Sequence, residues 1–242
     1  MEYPKGTIQE ISLNSRELAE EINLFVYLPA SFSTLYKYSF LIAQDGRDYF
    51  QLGRIGRTAD ELLYKQEIEN LIIVGIPYNS VEDRRNKYHP RGERNKEYIH
   101  FLSHEFLPFL DNEFPSYQIG MGRALIGDSL AATVSLMTAL QYPHSFGKVL
   151  LQSPYVNDDV LHAVDHFGSP SLLSIYHVVG NQETSVKTSG GVDQDFLSPN
   201  LQLSGIFKRK NFSYIFDEFE GNHTWTYWQP DIKRALKRMF AK

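Results

Sequence analysis

Compact apolar runs alternate along this chain with stretches in which apolar residues recur every three or four positions. Residues 7–13 and 19–28 have strand composition, the second reading Ile22-Asn23-Leu24-Phe25-Val26-Tyr27-Leu28 with a period of two. They predict an antiparallel opening pair with a turn at Asn14-Ser15, ended by Pro29. Residues 38–43 are a short apolar run leading into Gln44-Asp45-Gly46-Arg47, and residues 58–68 read as a helix with Thr58 as its cap. Leu71-Ile72-Ile73-Val74-Gly75-Ile76-Pro77 is the clearest buried strand: continuous, β-branched and stopped by proline.

A polar, arginine-rich loop is expected over 78–94. After it Tyr98, Phe101, Leu102, Phe106, Phe109 and Leu110 mark an amphipathic helix that Pro108 kinks late. A strand reaching Gly127, an apolar helix to about Leu140, and strands over 147–153, 172–179 and 212–219 follow; a basic amphipathic helix over 231–240 closes the chain. This alternation predicts an α/β fold: a mostly parallel central sheet with antiparallel N-terminal strands and helices on both faces. With no repeat, linker or low-complexity tract, the expectation is one domain over 1–242.

Composition narrows the function. The chain has 242 residues, 42% of them hydrophobic, enough for a sizeable core. A net charge of -5 leaves no broad basic field, so a nucleic-acid partner is not expected. The absence of cysteine excludes disulfides and thiol chemistry. The N-terminus has no apolar signal core, and no run approaches the ~18 apolar residues a membrane span needs, so the expectation is a cytoplasmic protein without a membrane partner.

Candidate chemistry begins at Gly127-Asp128-Ser129-Leu130-Ala131, where a strand-like run reaches a serine and continues into a helical pattern. A serine on such a strand-to-helix turn exposes its hydroxyl as a nucleophile, and small residues two positions either side let strand and helix approach. The usual second glycine is here Ala131. A serine at a helix start is also commonly an N-cap, so the motif alone leaves both readings open.

His223, in Glu220-Gly221-Asn222-His223-Thr224-Trp225, follows the last strand and lies C-terminal to Ser129. Serine needs a neutral imidazole to take its proton, and the imidazole needs a carboxylate to fix its tautomer. Glu183, shortly after Val178-Val179-Gly180, is the first candidate for that acid, with Asp193 and Asp195 as alternatives; Asp158, Asp159 and Asp165 read as solvated loop charges. The oxyanion of a tetrahedral intermediate would take the N–H of Leu130 and a donor from the Asp45-Gly46 turn, which could equally be a plain tight turn.

These motifs, with Val179-Gly180-Asn181-Gln182-Glu183, Trp228 and the loop Asp83-Arg84-Arg85-Asn86-Lys87-Tyr88-His89-Pro90, resemble the “putative esterase” family of the α/β-hydrolases, which includes esterase D and the enterochelin-esterase-like enzymes. The resemblance covers residues 21 to the end. It implies a serine esterase acting on a small ester substrate through an acyl-enzyme, with no cofactor, Ser129 as nucleophile, His223 as base and an acid at Glu183. Family members carry Gly-Gly where this chain has Ala131-Ala132.

Arg84 and Arg85 have two readings, as contacts to an anionic or catecholate-like substrate or as solvated charges, and Tyr88 and Trp225 are further substrate-binding candidates. The other histidines show no metal spacing, and no metal is expected. A trilactone-siderophore esterase, an acyltransferase and a non-catalytic binding protein on the same fold are the alternatives.

Overall fold

The computed structural model describes residues 3–188 and 191–242. The opening hairpin pairs β1 (Thr7–Ser15) with β2 (Glu20–Leu28), and β3 (Ser39–Gln44) leads into the short helix α1 (Gly46–Gln51) and then α2 (Ile55–Tyr64). Next come β4 (Leu71–Ile76), α3 (Val81–Tyr88), α4 (Asn95–Phe101) and α5 (Leu107–Glu113), then β5 (Arg123–Asp128), α6 (Leu130–Gln141), β6 (Lys148–Gln152) and α7 (Asp158–His166). The chain closes with β7 (Ser174–Gly180), a small hairpin of β8 (Val186–Lys187) and β9 (Asp193–Gln194), α8 (Leu197–Arg209), β10 (Ser213–Phe219) and α9 (Trp225–Phe240).

The main sheet has the order β1-β2-β4-β3-β5-β6-β7-β10. β2 runs antiparallel to both β1 and β4, and the remaining neighbours are parallel. This is the expected α/β architecture. Parallel strands joined through helices are covered on both faces, which is why β4 is apolar throughout: Ile72, Val74 and Ile76 pack into one core and Leu71 and Ile73 into the other. Among the described residues no helix is long and apolar enough to cross a membrane.

Several boundaries depart from the sequence expectation, each through a tertiary contact. Asn14 and Ser15 belong to β1, and the reversal uses the next four residues, with Ala19 at φ 50. Glu105, distant in sequence, fixes that turn: it accepts from Ser15 Oγ at 2.5 Å and from the N–H groups of Arg16 and Glu17 at 3.1 Å. α2 starts ahead of Thr58, after Arg54 in a left-handed conformation, so Thr58 is inside the helix rather than its cap. The polar stretch expected as a loop contains α3, capped by Ser80 Oγ, which accepts from the N–H of Asp83 at 3.1 Å.

The kink near Pro108 is a π turn, Leu102–Phe106, joining α4 to α5 just before the proline, whose ring has no N–H to give back. α9 begins at Trp225 and accommodates Pro230 inside it. Asp158 and Asp159 occupy the first turn of α7, where the helix dipole favours them.

Candidate active site

Ser129 sits between β5 and α6 with φ 53 and ψ -124, a conformation L-residues rarely adopt. Its backbone is held on both sides: the N–H donates to Gln152 O at 3.0 Å, and its carbonyl accepts from Tyr155 N at 3.2 Å. The side chain makes no capping hydrogen bond, so the N-cap reading does not describe it. Strand and helix touch at Gly127, where a Cβ would collide with the backbone of Ala131 and Ala132. The close approach therefore needs glycine on the strand side only, and the methyl of Ala131 is accommodated in the core.

Ser129, Leu130 and His223 line one cavity of about 490 Å³. His223 enters from the loop between β10 and α9, and its Nδ1 lies 2.6 Å from Glu183 Oε2. Glu183 occupies the turn after β7 and is completely buried. Its second oxygen, Oε1, accepts from Gly180 N at 2.8 Å and from Ser153 Oγ at 2.6 Å, and Ser153 Oγ in turn accepts from Trp228 Nε1 at 3.1 Å. Contacts to both oxygens fix this buried carboxyl group against the ring.

The two alternative acids have other partners, although Asp193 lines the same cavity. Asp193 accepts from Ser185 Oγ at 3.1 Å, and Asp195 accepts from the N–H of Ser198 in the first turn of α8. Neither meets His223. Sequence reasoning gave no role to Ser153, which stands one residue beyond β6 at φ 48. A serine at the end of a parallel strand next to the nucleophile's strand was the available signal.

Arg84 lines the same cavity. It is neither solvated nor free: from α3 its Nε and Nη2 clamp the Asp45 carboxylate at 2.6–2.9 Å, and Nη2 lies 3.5 Å from the carbonyl of Asp128. The guanidinium thus spans the turn after β3 and the peptide that precedes Ser129. Gly46, beside Asp45, packs so tightly on β4 that a Cβ would strike the backbone of Gly75. Leu130 reaches the cavity, whereas Asp45 and Gly46 do not line it.

Tyr88 and Trp225 do not line it either. Tyr88 is buried, with its hydroxyl 3.4 Å from the N–H of Asp45, and Trp225 packs edge-on against Tyr49 at 4.9 Å. Of these two substrate-binding candidates, Tyr88 belongs to the core and Trp225 packs half-buried against it. The cavity's own rings are Tyr155 and Phe196, the latter 4.2 Å from the ring of His223.

Asp128 is buried, and among the described residues its Oδ1 has no hydrogen-bond partner. Burial, then the nearby Asp45 charge, pushes its carboxyl well above the usual range. Burial raises Asp45 as well, but there the Arg84 cation opposes it. The Arg84 cation is clamped on the Asp45 carboxylate and reaches only the backbone carbonyl of Asp128, so the upward push is the stronger on Asp128.

The family described as “Putative esterase” matches residues 15–239. The chain belongs to it. YjcH of Bacillus subtilis, an uncharacterized protein, is 55% identical over 97% of this chain and 98% of its own length. In fold the chain is similar to a ferulic acid esterase, with a TM-score of 0.79, 17% identity and coverage of 99% and 98% of the two chains. It is also similar to the enterobactin esterase FES of Shigella flexneri, solved in the presence of enterobactin, with a TM-score of 0.84 and 17% identity; the match covers 98% of this chain and 59% of that one.

Proposed function

We propose that this member of the family is a serine carboxylic-ester hydrolase that works through an acyl-enzyme on a small or medium acyl ester. The observation carrying the reading is the 2.6 Å contact between Glu183 Oε2 and His223 Nδ1, made by a histidine that lines the same cavity as Ser129. Ser129 attacks the ester carbonyl while His223 takes its proton. Glu183 keeps the proton of His223 on Nδ1, so that Nε2 is the basic nitrogen, and it stabilises the imidazolium that forms. His223 then returns the proton to the departing alcohol, and water releases the acid by the same route.

The developing oxyanion takes the N–H of Leu130, which lines the cavity; losing one such donor costs about 3 kcal/mol of transition-state stabilisation. No step requires a cofactor. Replacing Ser129 by alanine should abolish turnover of a short p-nitrophenyl ester and block labelling by a fluorophosphonate. Retained activity defeats the reading.

The likeness in fold to a protein solved with enterobactin supports a second reading, a trilactone-siderophore esterase. Comparing kcat/KM on a trilactone and on simple acyl esters separates the two. A strong preference for the simple esters removes the second.

A further inference from the structure

The cations around the cavity divide into two groups. Along α3 and the segment after it, Arg84 is clamped to Asp45, Lys87 meets Glu20 and Asp83, Arg91 pairs with Asp159 at 2.6 Å, and Arg94 faces Glu20 at 3.6 Å. Arg85 lies among these residues and lines the cavity, yet among the described residues it forms no ion pair. The same holds for Lys187, which reaches the cavity from β8. Both are exposed side chains whose charge remains available to an anion entering the cavity.

Among the described residues the only carboxylate lining the cavity is Asp193, and it is engaged by Ser185 Oγ at 3.1 Å. His89 adds no lasting charge, since burial and the neighbouring Arg85 and Arg91 hold its imidazole below the usual range. From His223 a series of rings runs along the cavity: His223 to Phe196 at 4.2 Å, Phe196 to Tyr155 at 6.3 Å, and Tyr155 to His89 at 5.2 Å, with Arg85 near enough to His89 to act on its imidazole. An occupant that satisfies all of this has an apolar body along the rings and an anion at its end.

We infer that the ester accepted here carries a free carboxylate, held by Arg85 and Lys187, the two unpaired cations that line the cavity. The inference rests on the esterase reading above and names its substrate class: half-esters of dicarboxylic acids, or esters of an alcohol that bears an acid. A guanidinium matches a carboxylate by two parallel N–H donors, and an ammonium adds a point charge. Because Arg85 and Lys187 come from separate segments, the bound anion also ties the β8–β9 hairpin to α3.

The test compares 4-nitrophenyl hydrogen adipate with 4-nitrophenyl hexanoate, and 4-carboxyphenyl butyrate with phenyl butyrate, so that the charge sits on the acyl side in one pair and on the alcohol side in the other. In one of the pairs kcat/KM should favour the charged ester about tenfold, as two partly exposed charge contacts allow. The Arg85→Gln/Lys187→Gln protein should bring that ratio close to one, and rising salt should shrink it in the wild type. Binding of benzyl hydrogen adipate and of its neutral methyl ester to the Ser129→Ala protein, by calorimetry, reads the same preference without turnover, so a failed esterase reading and a failed inference give different results. Equal rates and equal binding for charged and neutral compounds, or a preference that the double substitution leaves unmoved, overturns the inference.

Discussion

The carboxylate of Glu183 stands 2.6 Å from Nδ1 of His223 through one oxygen, while its other oxygen is held by Gly180 N–H and Ser153 Oγ–H. The acid is thus positioned by groups that belong to three separate segments. Each can be altered by itself.

Glu183→Gln keeps the shape of the side chain but removes its charge and offers His223 an amide. The expected outcome is a loss of kcat on the order of 10³–10⁴ on a p-nitrophenyl ester, with KM little changed, because only the imidazolium-forming transition state suffers. Asp195→Asn, at a residue that merely accepts from Ser198 N, should leave kcat within about twofold.

Ser153→Ala deletes a hydroxyl that is fully buried and leaves both Glu183 Oε1 and Trp228 Nε1 short of a partner. Urea unfolding should show a loss of about 1–3 kcal/mol, the cost of leaving buried polar groups unsatisfied. A drop in kcat should accompany it, since Glu183 is then free to turn from the ring.

Removing Arg84 strands the Asp45 carboxylate. Arg84→Met should destabilise the protein by about 3–5 kcal/mol, whereas the double variant Asp45→Asn/Arg84→Met, with no buried charge left over, should recover a large part of that loss. A denaturant series on the two proteins and the wild type checks it. Equal instability of the single and double variants would show that packing, and not the charge, is what Arg84 supplies.

Asp128 makes stability depend on pH. Burial raises its carboxyl in the folded state above the value in the unfolded chain, so the folded protein holds a proton that the unfolded chain releases. That contribution is fully present below the unfolded value and is lost as pH rises toward the folded one. Asp128→Asn should therefore raise Tm at neutral and alkaline pH and not in acid, which a series of melting curves will read. A uniform shift at every pH would contradict this origin.

Gly127→Ala places a methyl group into the backbone of α6 and should prevent correct folding or cost several kcal/mol, while Ala131→Gly, in the helix, should cost only about 1 kcal/mol. Expression and thermal melting of the pair distinguish the two sides of the turn.

The order of apolar runs, by itself, determined the α/β architecture, because a strand buried on both faces has to be apolar throughout and the linking helices have to alternate. It also determined Ser129 as a strand-to-helix serine, through Gly127, and singled out His223 after the last strand. Local pattern carries such information because backbone geometry and burial periodicity are properties of a few neighbouring residues. Only the tertiary structure brings Glu183, rather than Asp193 or Asp195, to within 2.6 Å of the His223 ring. All three follow β7 in one polar stretch, and the choice belongs to the turn at Gly180 and to Ser153 arriving from the next strand. It also decided that Arg84 is committed to Asp45 while Arg85 is not, and that Tyr88 and Trp225 pack inward. Charge pairing and ring placement depend on which segments meet across the fold, and nothing local in the sequence encodes that meeting.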